Sequence, residues 1–342
     1  MPLFNLCPDR PVLIAEIAQA HDGSLGMAHA YIDAAAEAGA DAVKFQTHIA
    51  AAESTLDEPF RVRFSLQDST RYEYWKRMEF DLEQWQGLAE HARGKGLLFL
   101  SSPFSVQAVE LLEKVGVPAF KIGSGETVSG DILEAVMRTR KPVLVSTGMS
   151  TYGEIDGLVA RLREKCIDFA LFQCTSKYPV DFSEVGLNVI RELKVRYGCP
   201  AGLSDHSGSI FPGLAAMAQG ADFIEAHIVF DKGMFGPDTP ASLTVHDFKI
   251  LSQARDAFWE MLSNPVDKDQ MAISMEKMRR TFGKSLATVK DLPAGTVLTS
   301  DLLTAKKPGT GIPVNQICRI AGKKLARNVS ARRLLRQEDI YE

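Results

Sequence analysis

Cysteine is scarce in this chain and nowhere closely paired. Five cysteines stand among 342 residues, at Cys7, Cys166, Cys174, Cys199 and Cys318. Their number is odd and no C-x-x-C spacing occurs, which argues against zinc fingers and a disulfide framework and fits a reducing cytoplasm. Basic charge is not in excess. With 39 Lys and Arg against 43 Asp and Glu the net charge is −4, so no broad cationic surface is expected for nucleic acid or an anionic membrane. An anionic substrate would need a local basic pocket. The N-terminus has no basic stretch leading into an apolar run, so no signal peptide is expected. No apolar run approaches the length of a membrane span. A glycine-rich first turn of the dinucleotide-binding kind is also missing.

What is present is an alternating pattern. Apolar runs bounded by turn residues fall at 11–18, 41–46, 97–100, 119–122, 142–146, 168–173, 201–203 and 223–227. Stretches of helical spacing follow them, at 27–38, 82–94, 106–115, 131–138, 152–165, 185–197, 211–219 and 245–262. Strands alternating with helices imply a parallel sheet. Eight such units in roughly 250 residues is the count of a (β/α)8 barrel, an α/β fold, with an open doubly wound sheet as the alternative. A polar segment at 263–280 reads as a linker, and a compact, mostly β domain is expected over 281–342, after a barrel domain over 1–262. Within that tail Val289-Lys290-Asp291-Leu292-Pro293-Ala294-Gly295 recurs weakly as Ala326-Arg327-Asn328-Val329-Ser330-Ala331-Arg332.

In such barrels chemistry sits at the C-terminal ends of the strands. Those positions carry Glu16, then Lys44 and Gln46, then Ser102, then Lys121, Ser124 and Glu126. They continue with Ser146, Thr175-Ser176-Lys177-Tyr178, Ser204, His206, Glu225 and His227. Residues two apart on a strand share a face, so Lys44 and Gln46 point inward and Val43 and Phe45 toward the helices. Two inward lysines with several hydroxyls describe an anion pocket. His206 and His227 end neighbouring strands whose axes lie roughly 5 Å apart, so both imidazoles can meet one divalent ion with open positions. Glu225 shares a face with His227 and is expected to pair with an inward lysine.

Several motifs resemble one family. Ala15-Glu16-Ile17, His21-Asp22-Gly23-Ser24, Lys44-Phe45-Gln46-Thr47-His48 and Ser102-Pro103-Phe104 open the series. Lys121-Ile122-Gly123-Ser124-Gly125-Glu126, Ser146-Thr147-Gly148-Met149, Cys174-Thr175, Tyr178-Pro179, Gly202-Leu203-Ser204-Asp205-His206 and Gly236-Pro237-Asp238 complete it. In this order they look like the sialic acid synthases, the phosphoenolpyruvate-dependent nonulosonate synthases. The resemblance implies a (β/α)8 TIM barrel followed by a small antifreeze-like (SAF) domain that covers the barrel mouth of a partner subunit, hence a domain-swapped homodimer. It implies condensation of phosphoenolpyruvate with an N-acylated aldehyde hexose such as N-acetylmannosamine, with release of phosphate. It places Lys44, Ser102, Lys121, Ser124, Ser146 and Ser204 around phosphoenolpyruvate. Glu16, Gln46, Ser176, Tyr178 and Asp238 fall near the sugar, and Glu126 is the candidate base. His206 and His227 would hold the ion, and oxygen ligands completing the shell suit Mn²⁺ or Mg²⁺.

Some positions depart from the family pattern. Ala20 replaces an Asn, Ala226 a basic residue, and Ser176 an Asn beside the Tyr-Pro pair. Lys307 stands where an Arg usually reaches the partner's substrate, and a lysine lacks the planar fork. These changes fall toward the sugar, so a legionaminate-type or spore-coat polysaccharide sugar is an alternative product class. Two further readings are a non-catalytic carbohydrate-binding homologue and a 3-deoxy-7-phosphoheptulonate-type synthase. The latter would need a cysteine metal ligand and no SAF tail.

Overall fold

The computed structural model describes residues 10–341, in two units that divide between Ser263 and Asn264. In the first, β1 (Val12–Ala18), β2 (Ala42–Thr47), β3 (Leu98–Pro103) and β4 (Phe120–Ile122) are followed by β5 (Val143–Ser146), β6 (Phe169–Cys174), β7 (Ala201–Asp205) and β8 (Phe223–Val229). Each pairs in parallel with the next, and β8 returns to β1, closing the barrel. The sequence boundaries miss by one to three residues, chiefly at the C-terminal ends of strands. There polar residues such as Ser101, Ser102 and Asp205 continue the ladder.

The helices are set by local signals. The helix Leu25–Glu37 (α1) starts at Ser24, whose hydroxyl accepts from the Met27 N–H. After β2 the chain forms Ala50–Glu53 (α2), Arg71–Met78 (α3) and Leu82–Gly94 (α4). Capping boxes at Thr70/Glu73 and Asp81/Gln84 start the last two. The helix Val106–Val115 (α5) stops at Gly116, which adopts φ 82°, a left-handed conformation that glycine takes without penalty. Its buried face holds Val109, Leu112 and Val115 against the sheet. Leu112 has no exposed surface, so Leu112→Ala should cost about 2–5 kcal/mol. The remaining helices are Gly130–Arg138 (α6), Tyr152–Glu164 (α7), Leu187–Tyr197 (α8), Phe211–Ala218 (α9) and Val245–Ser263 (α10).

Inside the barrel, Val12, Ile14, Ala42, Leu100, Leu144, Phe172 and Phe223 form an apolar plug. Gly202 makes room for it: a Cβ there would lie 2.4 Å from the Phe223 carbonyl oxygen. The plug closes the barrel from within, so polar side chains one turn of the pleat higher open toward the C-terminal mouth.

In the second unit the stretch expected as a linker forms two short helices, Lys268–Ser274 (α11) and Glu276–Phe282 (α12). The reason is local: the Asp267 carboxylate accepts from the N–H groups of Asp269 and Gln270 and starts α11. Beyond them β9 (Ser285–Thr288) and β10 (Leu303–Lys306) run antiparallel. The two weak sequence copies pair with each other, Leu292 and Val329 exchanging both backbone hydrogen bonds at 2.9 Å. Leu286, Leu298, Leu325 and Leu335 make a separate core. Cys166, Cys174, Cys199 and Cys318 are free thiols; Cys7 lies outside the described residues.

Candidate active site

A cavity of about 350 Å³ opens at the C-terminal ends of the strands, within the size range of small-molecule sites. Strand register brings distant residues level. Glu16 pairs with Lys44 on one side and with His227 on the other, and Ser204 lies opposite Glu225. Glu16, Lys44, Gln46, Ser102, Lys121, Ser124, Ser146, Ser176, Tyr178, Ser204, His206, Glu225, His227 and Asp238 all line this one cavity.

At its floor four buried charges alternate in sign. Lys44 Nζ lies 2.8 Å from Glu16 Oε2 and 3.7 Å from Glu225 Oε1. Lys121 Nζ lies 3.1 Å from the same Glu225 oxygen and donates to Ser146 Oγ at 2.6 Å. Ser204 Oγ also donates to Glu225 Oε1, at 3.0 Å. Burial pushes the Glu16 carboxyl up, against the pull of Lys44. For Glu225 burial acts the same way, but the Lys121 and Lys44 ammonium groups outweigh it and hold the carboxyl well below the usual range. Burial drags Lys121 below its ordinary value. The lysines are therefore internally compensated, a refinement of the anion pocket read from sequence. The second Glu225 oxygen, Oε2, is buried and makes no hydrogen bond among the described residues, which leaves an acceptor for a ligand or water.

Above the floor, the Tyr178 ring stacks on His206 at 4.0 Å between centroids. The Arg61 guanidinium lies 4.2 Å from the Tyr178 centroid and donates to Asp238 Oδ1. His206 and His227 have ring centroids 5.4 Å apart. Burial, reinforced by the neighbouring His227, pulls His206 down to about 3; burial, reinforced by Lys44, does the same to His227. Both imidazoles are thus neutral at physiological pH.

Two expected residues stand elsewhere. Glu126 does not line the cavity: it sits one residue past Gly125, which does, and its Oε2 accepts from Ser129 Oγ at 2.6 Å. The turn after β4 that displays Ser124 carries the next carboxylate away from the opening. Lys307 belongs to the second unit, where its ammonium lies 5.3 Å from the Phe282 ring centroid. Sequence reading missed Gln19, Arg61, Arg71 and Trp75, all on the wall. Arg71 and Trp75 were findable: Thr70-x-x-Glu73 is a capping-box signature, and four-residue spacing puts both on one face of α3. Arg61 lies in an irregular stretch with no periodicity to reveal it.

The NeuB family model matches residues 31–267, and the SAF domain model matches residues 283–340. The chain belongs to the NeuB family. These synthases are phosphoenolpyruvate-dependent condensing enzymes, and this chain is a carbon–carbon bond-forming transferase of that kind. It is 32% identical to the N,N'-diacetyllegionaminic acid synthase of Campylobacter jejuni, covering 96% of this chain and 99% of the relative. It is also 32% identical to the pseudaminic acid synthase of Helicobacter pylori, covering 96% and 98%. The crystal structure of an N-acetylneuraminic acid synthetase from Leptospira borgpetersenii superposes with a TM-score of 0.68 at 31% identity, covering 79% of this chain and 93% of that one.

The NeuB site has a donor set that fits a divalent ion. A ring nitrogen bound at metal distance puts its ring centre about 3.2 Å from the ion, so two neutral rings 5.4 Å apart can share one. No group of three or more His, Cys, Asp or Glu residues arranged to hold an ion occurs among the described residues. Further ligands would therefore be substrate or water oxygens. Cys174 lines the cavity with Sγ 3.9 Å from His206 Nδ1, and burial raises its thiol above the usual value. A SAF domain is present, which the heptulosonate-type reading does not carry. No helix among the described residues is long and apolar enough to cross a membrane.

Proposed function

We propose that this NeuB-family enzyme condenses phosphoenolpyruvate with an open-chain N-acylated aldehyde hexose, N-acetylmannosamine or a relative, to give a nine-carbon sialic-acid-type sugar and phosphate. The observation that carries the reading is the Glu16–Lys44–Glu225–Lys121 network at the cavity floor, ringed by serine hydroxyls and adjoining two neutral imidazoles.

The chemistry follows from the donor. Phosphoenolpyruvate is an enol ester whose C3 is nucleophilic. Lys44, Lys121, Ser102, Ser124, Ser146 and Ser204 bind its carboxylate and phosphate. The lysines re-pair from carboxylate to ligand, which the raised carboxyl of Glu16 eases because it can take a proton as Lys44 turns away. His206 and His227 would hold a Mn²⁺ or Mg²⁺ ion, which would supply Lewis-acid polarisation of the sugar aldehyde. C3 attacks that aldehyde carbon, water adds to the C2 cation, and the tetrahedral intermediate expels phosphate. Gln46, Ser176, Tyr178 and Asp238 orient the sugar, with Glu16 beneath them. Two carboxylates are candidates for taking the proton of the water. Glu126 does so after its side chain leaves Ser129, whereas Glu16 already faces the cavity.

The relatives make different products. Of the three departures expected near the sugar, Ser176 lines the cavity. Ala226 instead belongs to the apolar core behind it, because it alternates with the inward Glu225 and His227, and Ala20 packs against that core. A legionaminate-type acceptor, a 2,4-diacetamido-trideoxy hexose, is therefore the second reading, supported by the Campylobacter relative. We also propose that the chain works as a homodimer in the cytoplasm, with Lys307 of the small domain reaching the partner's sugar. Phosphate release is the test. Purified enzyme with phosphoenolpyruvate, Mn²⁺ and a panel of aldehyde sugars should release phosphate with one N-acylated hexose well above the sugar-free rate. Release with no sugar of the panel would overturn the assignment.

A further inference from the structure

Behind the cavity wall lies a buried imidazole that the reaction does not use. His48 follows β2 and is enclosed between Trp75 and Phe104, whose ring centroids lie 3.8 and 4.4 Å from its own with planes within 13° and 10°. Trp75 and Phe104 line the cavity; His48 and Glu53 do not. A phenyl ring would fill this slot equally well. A histidine adds two nitrogens, and both join a chain of hydrogen bonds that ends at Glu16.

The polarity of that chain is fixed from its two carboxylate ends. Glu53 Oε1 lies 2.5 Å from His48 Nδ1, and a carboxylate only accepts, so Nδ1 carries the proton. At the other end Gln46 Nε2 donates to Glu16 Oε1 at 2.9 Å. Gln46 therefore turns its oxygen away from Glu16, where it accepts from Gln19 Nε2. The same Gln19 nitrogen lies 2.8 Å from His48 Nε2. His48 Nε2 also lies 3.3 Å from the Gln46 oxygen, so it meets both amides; with the proton on Nδ1 it accepts the second N–H of Gln19 at the shorter distance. Reversing the Gln46 amide would set its oxygen against Glu16 and its NH2 against the NH2 of Gln19.

With its oxygen taken and one N–H on Glu16, Gln46 has a single N–H left for a ligand. We propose that His48 is a positioning residue that locks Gln46 as a hydrogen-bond donor. The site would thereby select an acceptor sugar with an accepting oxygen, of acyl or hydroxyl type, at that point. This rests on the reading above that Gln46 faces the sugar.

Two variants separate positioning from packing. His48→Phe keeps the aromatic stack and removes both nitrogens. His48→Gln loses the stack but offers an amide oxygen to Gln19. Steady-state kinetics and melting temperatures are measured on the full chain with Mn²⁺, phosphoenolpyruvate and the sugar that wild type turns over. The deciding quantity is the acceptor KM of His48→Phe. It should rise about tenfold, the scale of one lost hydrogen bond, while the phosphoenolpyruvate KM stays near wild type; the melting temperature should fall, because the buried Glu53 carboxylate loses its partner. His48→Gln should melt earlier yet keep an acceptor KM closer to wild type. An unchanged acceptor KM in His48→Phe overturns the proposal, as a role in packing alone requires. A wild type inactive with every sugar would instead overturn the proposed function, so the two failures are distinguishable.

Discussion

Lys121 and Glu225 meet at 3.1 Å in the barrel, joining β4 to β8 across the floor of the cavity, with neither side chain appreciably exposed. Strands on opposite sides of the barrel are thus tied by one ion pair, and Lys44 and Glu16 extend it. Removing one partner leaves a buried charge uncompensated. Lys121→Ala should destabilise the protein by about 3–5 kcal/mol in denaturant unfolding. It should also raise the phosphoenolpyruvate KM at least tenfold. A change below 1 kcal/mol with unaltered kinetics would remove Lys121 from both roles.

The imidazole pair makes a second prediction. His206→Ala should abolish turnover while leaving the melting temperature of metal-free protein within a few degrees of wild type. Chelation of wild type should stop turnover, and added Mn²⁺ should restore it. Full activity after exhaustive chelation would exclude an ion at His206 and His227.

Acid stability gives a third. Burial pulls His21, His206 and His227 to about 3, well below the unfolded value of 6.5. Between those values the unfolded chain takes up protons that the folded chain does not, so stability falls as pH drops from 6.5 toward 3. Asp205 opposes this: burial raises it from 3.8 to about 6, so it holds a proton in the folded state between those values. The raised Glu16 carboxyl acts in the same direction as Asp205. The three deeply buried imidazoles, joined by His29, which burial also lowers, outnumber the two carboxyls, and each net proton is worth about 1.4 kcal/mol per pH unit. The melting temperature of metal-free protein should therefore fall steadily below pH 6.5. A flat profile between pH 6.5 and 4.5 would contradict this balance.

The two carboxylates that compete for the water can be separated by substitution. Glu126→Gln should cut kcat by two orders of magnitude if the side chain swings from Ser129 into the cavity, with little change in either KM. Glu16→Gln keeps a hydrogen-bonding shape beside Gln46 and Lys44 and should act mainly on KM. Reversed effects would hand the base role to Glu16.

The sequence made the barrel legible because apolar runs of strand length alternate with stretches of helical spacing, punctuated by turn residues and by glycine stops such as Gly116. The floor of the site was legible for a related reason. Alternation along β2 and β8 dictates that Lys44, Glu225 and His227 point inward, and closure of the barrel brings them together. Arg61 and Gln19 were not legible, because irregular segments place them and no period links position to direction. Glu126 shows the limit at a strand end. Once the chain leaves β4 it turns, and adjacency in sequence to Ser124 no longer means adjacency in the cavity. The compensation of Lys44 and Lys121 by Glu16 and Glu225 was only half visible, since cross-barrel distances are set by register.

The most direct test of the account is turnover in H₂¹⁸O with phosphoenolpyruvate, Mn²⁺ and the accepted sugar, with phosphate and organic product analysed by mass spectrometry. Attack of water at C2 leaves the bridging oxygen with phosphorus, so the account predicts unlabelled phosphate formed in step with a nine-carbon acid. Labelled phosphate without a new carbon–carbon bond would mean hydrolysis at phosphorus, and would contradict it.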